Sequence, residues 1–321
     1  QQPKDDPFAE DDPFDRVGLK QEPPVRDAIL LRKKIAILKN ALEFEQANVR
    51  RLGNGLRRVR EDRSIKDTSV EESRLKSILA KHWHDELELK RLEAELHRLE
   101  SIFSLYRLNS EISRLNAAGR LSSPSLDLLE VLSYCARLHA ATRGAFDPTV
   151  QPVFEAVVRS VGTSRLLSEH DLADALGRVG WDGVRFEASE VQLIRPGAAL
   201  TLNGIAQGFI TDKIVELLKA CGFGDVLVDM GEIAARGVRS DGEAWRAGIA
   251  DPQGRVHKRL RLSDRALATS APKGTILDMQ GAIGHIFDPT SGREADWRTL
   301  VSVSAPCAVL ADGLSTALCL L

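Results

Sequence analysis

Four short segments carry residue types whose spacing could do chemistry. In Asp312-Gly313-Leu314-Ser315-Thr316 a carboxylate and a hydroxyl stand four residues apart, one turn from each other on one helix face. Two hard oxygens so placed can share a Mg2+ whose other positions go to a backbone carbonyl, water and phosphate oxygens. The plain alternative is an aspartate that caps a helix N-terminus. Gly284-His285-Ile286-Phe287-Asp288-Pro289-Thr290-Ser291-Gly292 sets a histidine beside an apolar pair and before a tight turn. A side chain that titrates near neutrality could move a proton there or steady developing phosphate charge; a hydrogen-bonded core histidine would look the same. Between Asn203 and Asp212, glycines let backbone approach a ligand, and the first helical turn presents N–H groups to an anion such as a pyrophosphate. Helix packing would use the same residues. In Gly144-Ala145-Phe146-Asp147-Pro148-Thr149, aspartate before proline fixes an extended turn, a common feature in itself.

These segments need elements to hold them. Leu126 to Ala141 is a predicted amphipathic helix, opened by Ser123-Pro124 and closed by Gly144. Another short helix is predicted over residues 171 to 180. Val184 to Leu193 and Ala199 to Leu202 read as a strand pair around the turn Arg195-Pro196-Gly197. A helix over Ile205 to Ala220 ends at Gly222. Strands are then predicted at Val226–Asp229, Ala234–Val238, Trp245–Ile249, Lys258–Leu262, Ala266–Thr269 and Val301–Ser304, with a final helix from Leu310 to Leu321. Strands and helices without a regular βαβ period argue for an α+β fold. No Gly-x-Gly-x-x-Gly or Walker loop is present.

Upstream, the texture differs. Residues 1 to 24 combine Pro3, Pro7, Pro13, Pro23 and Pro24 with a dense acidic stretch, which predicts a flexible arm. Asp6-Pro7-Phe8 and Asp12-Pro13-Phe14 repeat a peptide that could offer an aromatic ring to a partner's groove, or be solvated tail. Residues 25 to 91 are predicted helical. Leu31, Ile35, Leu38 and Leu42, then Val49, Leu52, Leu56 and Val59, follow the alternating four-three spacing of a heptad seam. A second stretch from about Val70 to Phe103 repeats it with Leu89, Leu92, Leu96, Leu99 and Phe103. So narrow a stripe needs a partner, either as a hairpin of the two stretches or as a coiled coil with another copy. His82 and His84, two residues apart, splay across a helix and read as surface residues.

With 321 residues and 43% hydrophobic content, the chain can build one large domain or two smaller ones. Its 44 Lys+Arg and 46 Asp+Glu leave a formal net charge of -2, which gives no drive toward nucleic acid or an anionic bilayer. Cys135, Cys221, Cys307 and Cys319 are scattered, with neither zinc-ligand spacing nor a disulfide framework. No apolar run reaches the roughly 18 residues that cross a bilayer, and the first residues lack the basic-then-apolar pattern of a signal peptide. A soluble chain is expected, mature or trimmed.

Taken in order, the segments resemble the ApbE family, flavin transferases that use FAD to attach FMN to a protein threonine or serine. The resemblance runs from about residue 92 to 321. It is carried by Leu99–Arg107, Ser110–Asn116, Gly144–Thr149, Leu202–Asp212, Val228–Ile233, Ala268-Thr269-Ser270, His285–Gly292 and Ala311–Leu318. It implies an α+β, mixed-sheet flavin transferase domain over 92–321, behind the arm (1–24) and the helical region (25–91). Asp312, the Thr316 hydroxyl and a backbone carbonyl taken as that of Ala206 would be Mg2+ ligands, with the metal bridging the FAD pyrophosphate. His285 would act near the transferred phosphate as base for the acceptor hydroxyl. Tyr106, Ala145, Phe146, Asp147, Asn203, Gln207, Asp212, Ser270 and Ile286 match positions lining the flavin nucleotide site, where Asp212 could accept from ribose or adenine.

The implied activity is Mg2+-dependent transfer of FMN from FAD to a target threonine or serine, with release of AMP. FAD pyrophosphatase activity, or a scaffold with a vestigial site, would be the alternatives. The implied partners are FAD, an acceptor protein and a coiled-coil or self-associating partner. By resemblance the place is the periplasm or the periplasmic face of a membrane. Two departures concern the site: Asn203 and Gln207 stand where many members have glycine and lysine, and glutamine brings no counter-charge. The family's usual opening Gly-Thr-Thr or Met-Gly-Thr strand is not visible, and the apolar stretch Ala317 to Leu321 stands where members continue to a further strand; either trimmed boundaries or an incomplete catalytic domain is expected.

Overall fold

The computed structural model of the chain describes residues 87, 90–163, 167–251, 255–277 and 283–321. The acidic arm, the heptads from Leu31 to Val59, the charged linker after them and the His82–His84 pair lie outside the described residues. Helix α1 (residues 90–103) carries part of the second apolar repeat. Its stripe goes into the body of the domain: Leu96, Leu99, Ile102 and Phe103 are buried, and Phe103 meets the Phe209 ring edge-on, 5.5 Å between centroids. Over these residues the partner that the stripe needs is the domain's own core.

Helix α2 (Glu111–Ala118) starts where the Ser110 hydroxyl accepts from Ser113 N at 3.1 Å, and ends at Gly119, whose φ of 69° a side chain would strain. Helix α3 (Leu126–Ala141) is capped in the same way by Ser125, which accepts from Leu128 N. Its buried Leu128, Val131, Leu132, Cys135 and Leu138 follow helical spacing. The Glu111 carboxylate accepts from both the N–H and the hydroxyl of Ser125 at 3.0 Å, tying the two starts together. Helix α4 (Gln151–Gly162), with Pro152 in its first turn, has no counterpart among the predicted elements; helix α5 (Glu169–Leu176) starts two residues before its predicted counterpart and ends four earlier.

Every strand pair among the described residues is antiparallel, so the mixed sheet expected from the resemblance is not what forms. Strands β1 (Arg120–Ser122), β2 (Val184–Glu187) and β3 (Glu190–Leu193) form a small sheet in the order β1-β3-β2. The predicted strand over Val184 to Leu193 is therefore a hairpin. The segment Ala199 to Leu202 is no strand: Leu200 exchanges two 2.8 Å hydrogen bonds with the Asn116 amide, and Thr201 N donates to Pro148 O. Side-chain and loop partners satisfy this backbone in place of a ladder.

The central sheet joins β4 (Val226–Asp229), β5 (Ile233–Arg236), β8 (Arg265–Ser270) and β9 (Val301–Ala305) in the order β4-β5-β8-β9. Between β5 and β8 the chain makes a two-stranded ribbon, β6 (Trp245–Ala250) with β7 (Val256–Leu262). Helices α6 (Ala206–Ala220) and α7 (Ala308–Leu318) pack with this sheet; the final helix starts two residues before its predicted start and ends three earlier. Ala234, Ala266, Ala268, Ala308 and Ala311 are all buried, and such small side chains let helix and sheet approach closely. Among the described residues no helix is long and apolar enough to cross a membrane.

Neither α6 nor α7 has a capping side chain at its own N-cap, Ile205 and Cys307. Each takes one from the other. Asp212 of α6 accepts from Ala308 N at 2.8 Å and Val309 N at 2.9 Å, while Asp312 of α7 accepts from Gly208 N at 2.9 Å. The exchange satisfies donors that helix starts leave unpaired and sets each carboxylate at the positive end of the opposite dipole. Burial raises the Asp212 carboxyl above its ordinary pKa, against the pull of the two backbone donors. Asp212→Ala strands both N–H groups and is expected to cost about 1–3 kcal/mol in urea unfolding. Asp212→Asn keeps one acceptor and should fall between; a wild-type midpoint for Asp212→Ala would remove the cap from the account.

Candidate active site

A cavity of about 270 Å³ opens where α6, α7, the end of β8 and two loops meet. Asp312 and Thr316 line it from α7, Asn203, Gly204 and Gln207 from the start of α6, and Thr269 and Ser270 from β8. Ala145, Phe146 and Asp147, with His285 and Ile286, line it as well, and so does the exposed Tyr106. The four sequence segments thus converge on one space.

The α7 wall exists because Gly208 lets the helices touch. A Cβ there would lie 2.4 Å from Ala308 O and 2.8 Å from Asp312 Cβ. With that contact made, Asp312 is 4% exposed, inside α7 and one turn from Thr316. It caps the start of α6 and not of its own helix, so the plain alternative, a capping aspartate, is met between helices while the side chain also lines the cavity. A Cβ on Gly204 would stand 3.0 Å from Thr316 Oγ1, so the bare glycine keeps open the space before that hydroxyl. Gln207 reaches toward the β4–β5 turn, where a Cβ on Gly231 (φ 105°) would meet its Nε2 at 3.0 Å.

Two turns of the same design also line the cavity. In Asp147-Pro148-Thr149 the aspartate Oδ1 accepts from Thr149 N at 2.8 Å and Thr149 Oγ1 at 2.6 Å. In Asp288-Pro289-Thr290 it accepts from Thr290 N and Thr290 Oγ1, both at 2.7 Å. Each aspartate bonds its own turn, and each proline faces the cavity. Burial works against charge on Asp288, but the Thr290 and Ser291 donors prevail and lower its pKa. His139 Nε2 stands 3.6 Å behind Asp147 Oδ2, and its ring stacks on Trp181.

His285 is held by its own loop. Its N–H donates to Pro272 O at 3.0 Å, and Nδ1 lies 2.9 Å from that oxygen and 3.2 Å from Thr275 O. The N–H of Thr275 also reaches Nδ1, at 3.3 Å, so backbone groups of the loop hold this side of the ring. Gly284 permits this fold, because a Cβ there would lie 2.2 Å from Pro272 O. The Phe154 and Phe287 rings meet edge-on at 6.3 Å and fasten the loop to α4.

Two candidate residues stand elsewhere. Asp212 is not among the lining residues, and its two carboxylate oxygens accept from the first N–H groups of α7. Ala206, buried as the first residue of α6, is not among the lining residues either. Conversely Glu232, 7% exposed, lines the cavity and was not singled out. Glu232 stands in Val228–Ile233, one of the segments that carry the resemblance, but it is not among the site residues that the resemblance implies.

Close-approach glycines, hydroxyls, carboxylates and an imidazole around one cavity make a candidate active site for a polar ligand. A sequence model of the ApbE family matches residues 68–321, and the chain belongs to that family. It is 30% identical over 243 residues to a FAD:protein FMN transferase of Vibrio cholerae, covering 71% of this chain and 73% of that protein. It is 28% identical over 245 residues to one of Haemophilus influenzae, covering 71% and 70%. Among solved structures it is similar to the flavin transferase ApbE from Vibrio cholerae, with a TM-score of 0.63 at 28% identity over 73% of this chain and 77% of that one.

The two glycines should part company on substitution. Gly208→Ala forces a methyl onto a backbone carbonyl and is expected to cost about 1–3 kcal/mol in urea unfolding. Gly204→Ala meets only a side chain that can turn, so it should cost well under half as much. Equal losses would contradict the close approach assigned to Gly208.

Proposed function

We infer that the chain is a FAD:protein FMN transferase that holds Mg2+ between Asp312 and Thr316 and moves FMN onto a threonine or serine hydroxyl of an acceptor protein. The observation that carries this reading is the convergence of Asp312, Thr316, Ser270 and His285, from three distant segments, on one cavity. The donor set suits the metal: carboxylate and hydroxyl oxygens are hard ligands, and Gly204 leaves room before the Thr316 hydroxyl that any Cβ would fill. Bound there, Mg2+ would neutralise charge on the pyrophosphate as the phosphoanhydride breaks.

The chain's own residues do the rest. His285, held at Nδ1 by backbone groups of its loop, takes the proton of the acceptor hydroxyl. The acceptor oxygen bonds the FMN phosphorus and AMP leaves with the phosphoanhydride electrons. Phe146, Ile286 and Tyr106 offer apolar and aromatic surface to the flavin nucleotide, while Gln207 and Asn203 can hydrogen-bond it without adding charge.

The test is incubation with FAD, Mg2+ and a candidate acceptor, read by intact mass. Asp312→Asn, which keeps an acceptor for Gly208 N, and Thr316→Ala are each expected to abolish the mass increase of one FMN. His285→Ala should slow it by about 10²–10⁴-fold. Full activity in Asp312→Asn or Thr316→Ala would reject the metal assignment. Release of free FMN and AMP with no acceptor gaining mass would replace transfer by hydrolysis.

A further inference from the structure

We propose that Ser315, which does not line the cavity, sets the direction of a hydroxyl chain that turns the Thr316 lone pairs toward the cavity, and so acts as a positioning residue for the metal site. The inference rests on the Mg2+ reading above. Ser315 is fully buried, at 0% exposure. Its hydroxyl donates to Asp312 O at 2.9 Å, and a backbone carbonyl can only accept. With its one proton used there, Ser315 Oγ can only accept in turn, so Ser270 Oγ, 2.7 Å away, donates to it. Ser270 has then used its own proton. Toward Thr316 Oγ1, 3.4 Å away, it presents an oxygen that accepts.

The polarity of the chain therefore runs from Thr316 through Ser270 and Ser315 to the Asp312 carbonyl. At 3.4 Å, longer than a usual O–H···O bond, the accepting Ser270 oxygen draws the Thr316 proton toward itself and leaves lone pairs for the cavity that both residues line. A hydroxyl binds a cation only through lone pairs. In the reverse order, Ser315 would donate to Ser270 and Ser270 to Thr316, filling one of those lone pairs. The backbone of Ser270 is itself steadied by Cys319, whose thiol contacts Ser270 O at 3.5 Å.

The full-length protein would be titrated with Mn2+ in the presence of ADP, with free Mn2+ read by electron paramagnetic resonance. Ser315→Ala is expected to weaken Mn2+ binding about tenfold, in the range seen when groups that orient a metal ligand are removed. Ser270→Ala should weaken it equally, and the double variant no further, because both break one chain. Wild-type binding by Ser315→Ala, or losses that add in the double variant, would overturn the proposal. If Ser315→Ala does not fold, Ser270→Ala decides alone: wild-type binding overturns it. Thr316→Ala separates the two readings, since wild-type Mn2+ binding there would sink the metal site itself.

Discussion

The two helices that wall the cavity begin without capping side chains, and each borrows an aspartate from the other. Asp212 closes the start of α7 and Asp312 the start of α6. Such an exchange is possible only at very short range, which Gly208 allows by bringing its backbone against Ala308. Once the helices are locked in this register, Asp312 faces the cavity and Thr316 follows one turn later. The interaction that completes two helix N-termini therefore also orients the chemistry. It also explains why a carboxylate can sit 4% exposed in the middle of a helix: backbone N–H donation meets part of its hydrogen-bonding demand.

The loops that line the cavity follow a different principle. A loop holds a shape only when its polar groups are paired. Asp147 and Asp288 each spend one carboxylate oxygen on the N–H and hydroxyl of the threonine two residues on, so both turns are stiff before any ligand arrives. His285 is held at its Nδ1 by backbone groups of Pro272 and Thr275, and Phe287 anchors its loop on Phe154. A rigid helical wall carrying oxygens and a braced loop wall carrying the imidazole make a preorganised cleft.

Much of this was legible in the residues. Helix α3 was, because its apolar spacing is regular and its ends carry serine and glycine signals. The four chemical segments were too, since each pairs glycine or proline with a functional side chain. What escaped was tertiary. Asp212 sits in a motif that suggests ligand contact, but its partners are 96 and 97 residues away, at Ala308 and Val309. The Arg195-Pro196-Gly197 turn signal drew a strand pair around itself, while the actual hairpin turns at Ala188-Ser189, which carry no such signal. Helix α4 was hidden by its proline and its valines. The resemblance suggested a mixed sheet, yet the strands pair antiparallel throughout the described residues.

The central claim is that the α6–α7 exchange presents Asp312 and Thr316 as one cation site in the cavity that His285 also lines. Crystals grown with Mn2+ and FAD, measured for anomalous scattering, test it most directly. The account expects a single strong peak within coordination distance of an Asp312 carboxylate oxygen and Thr316 Oγ1, with the FAD pyrophosphate beside it. A peak elsewhere, or FAD bound with no peak at these two oxygens, would contradict it.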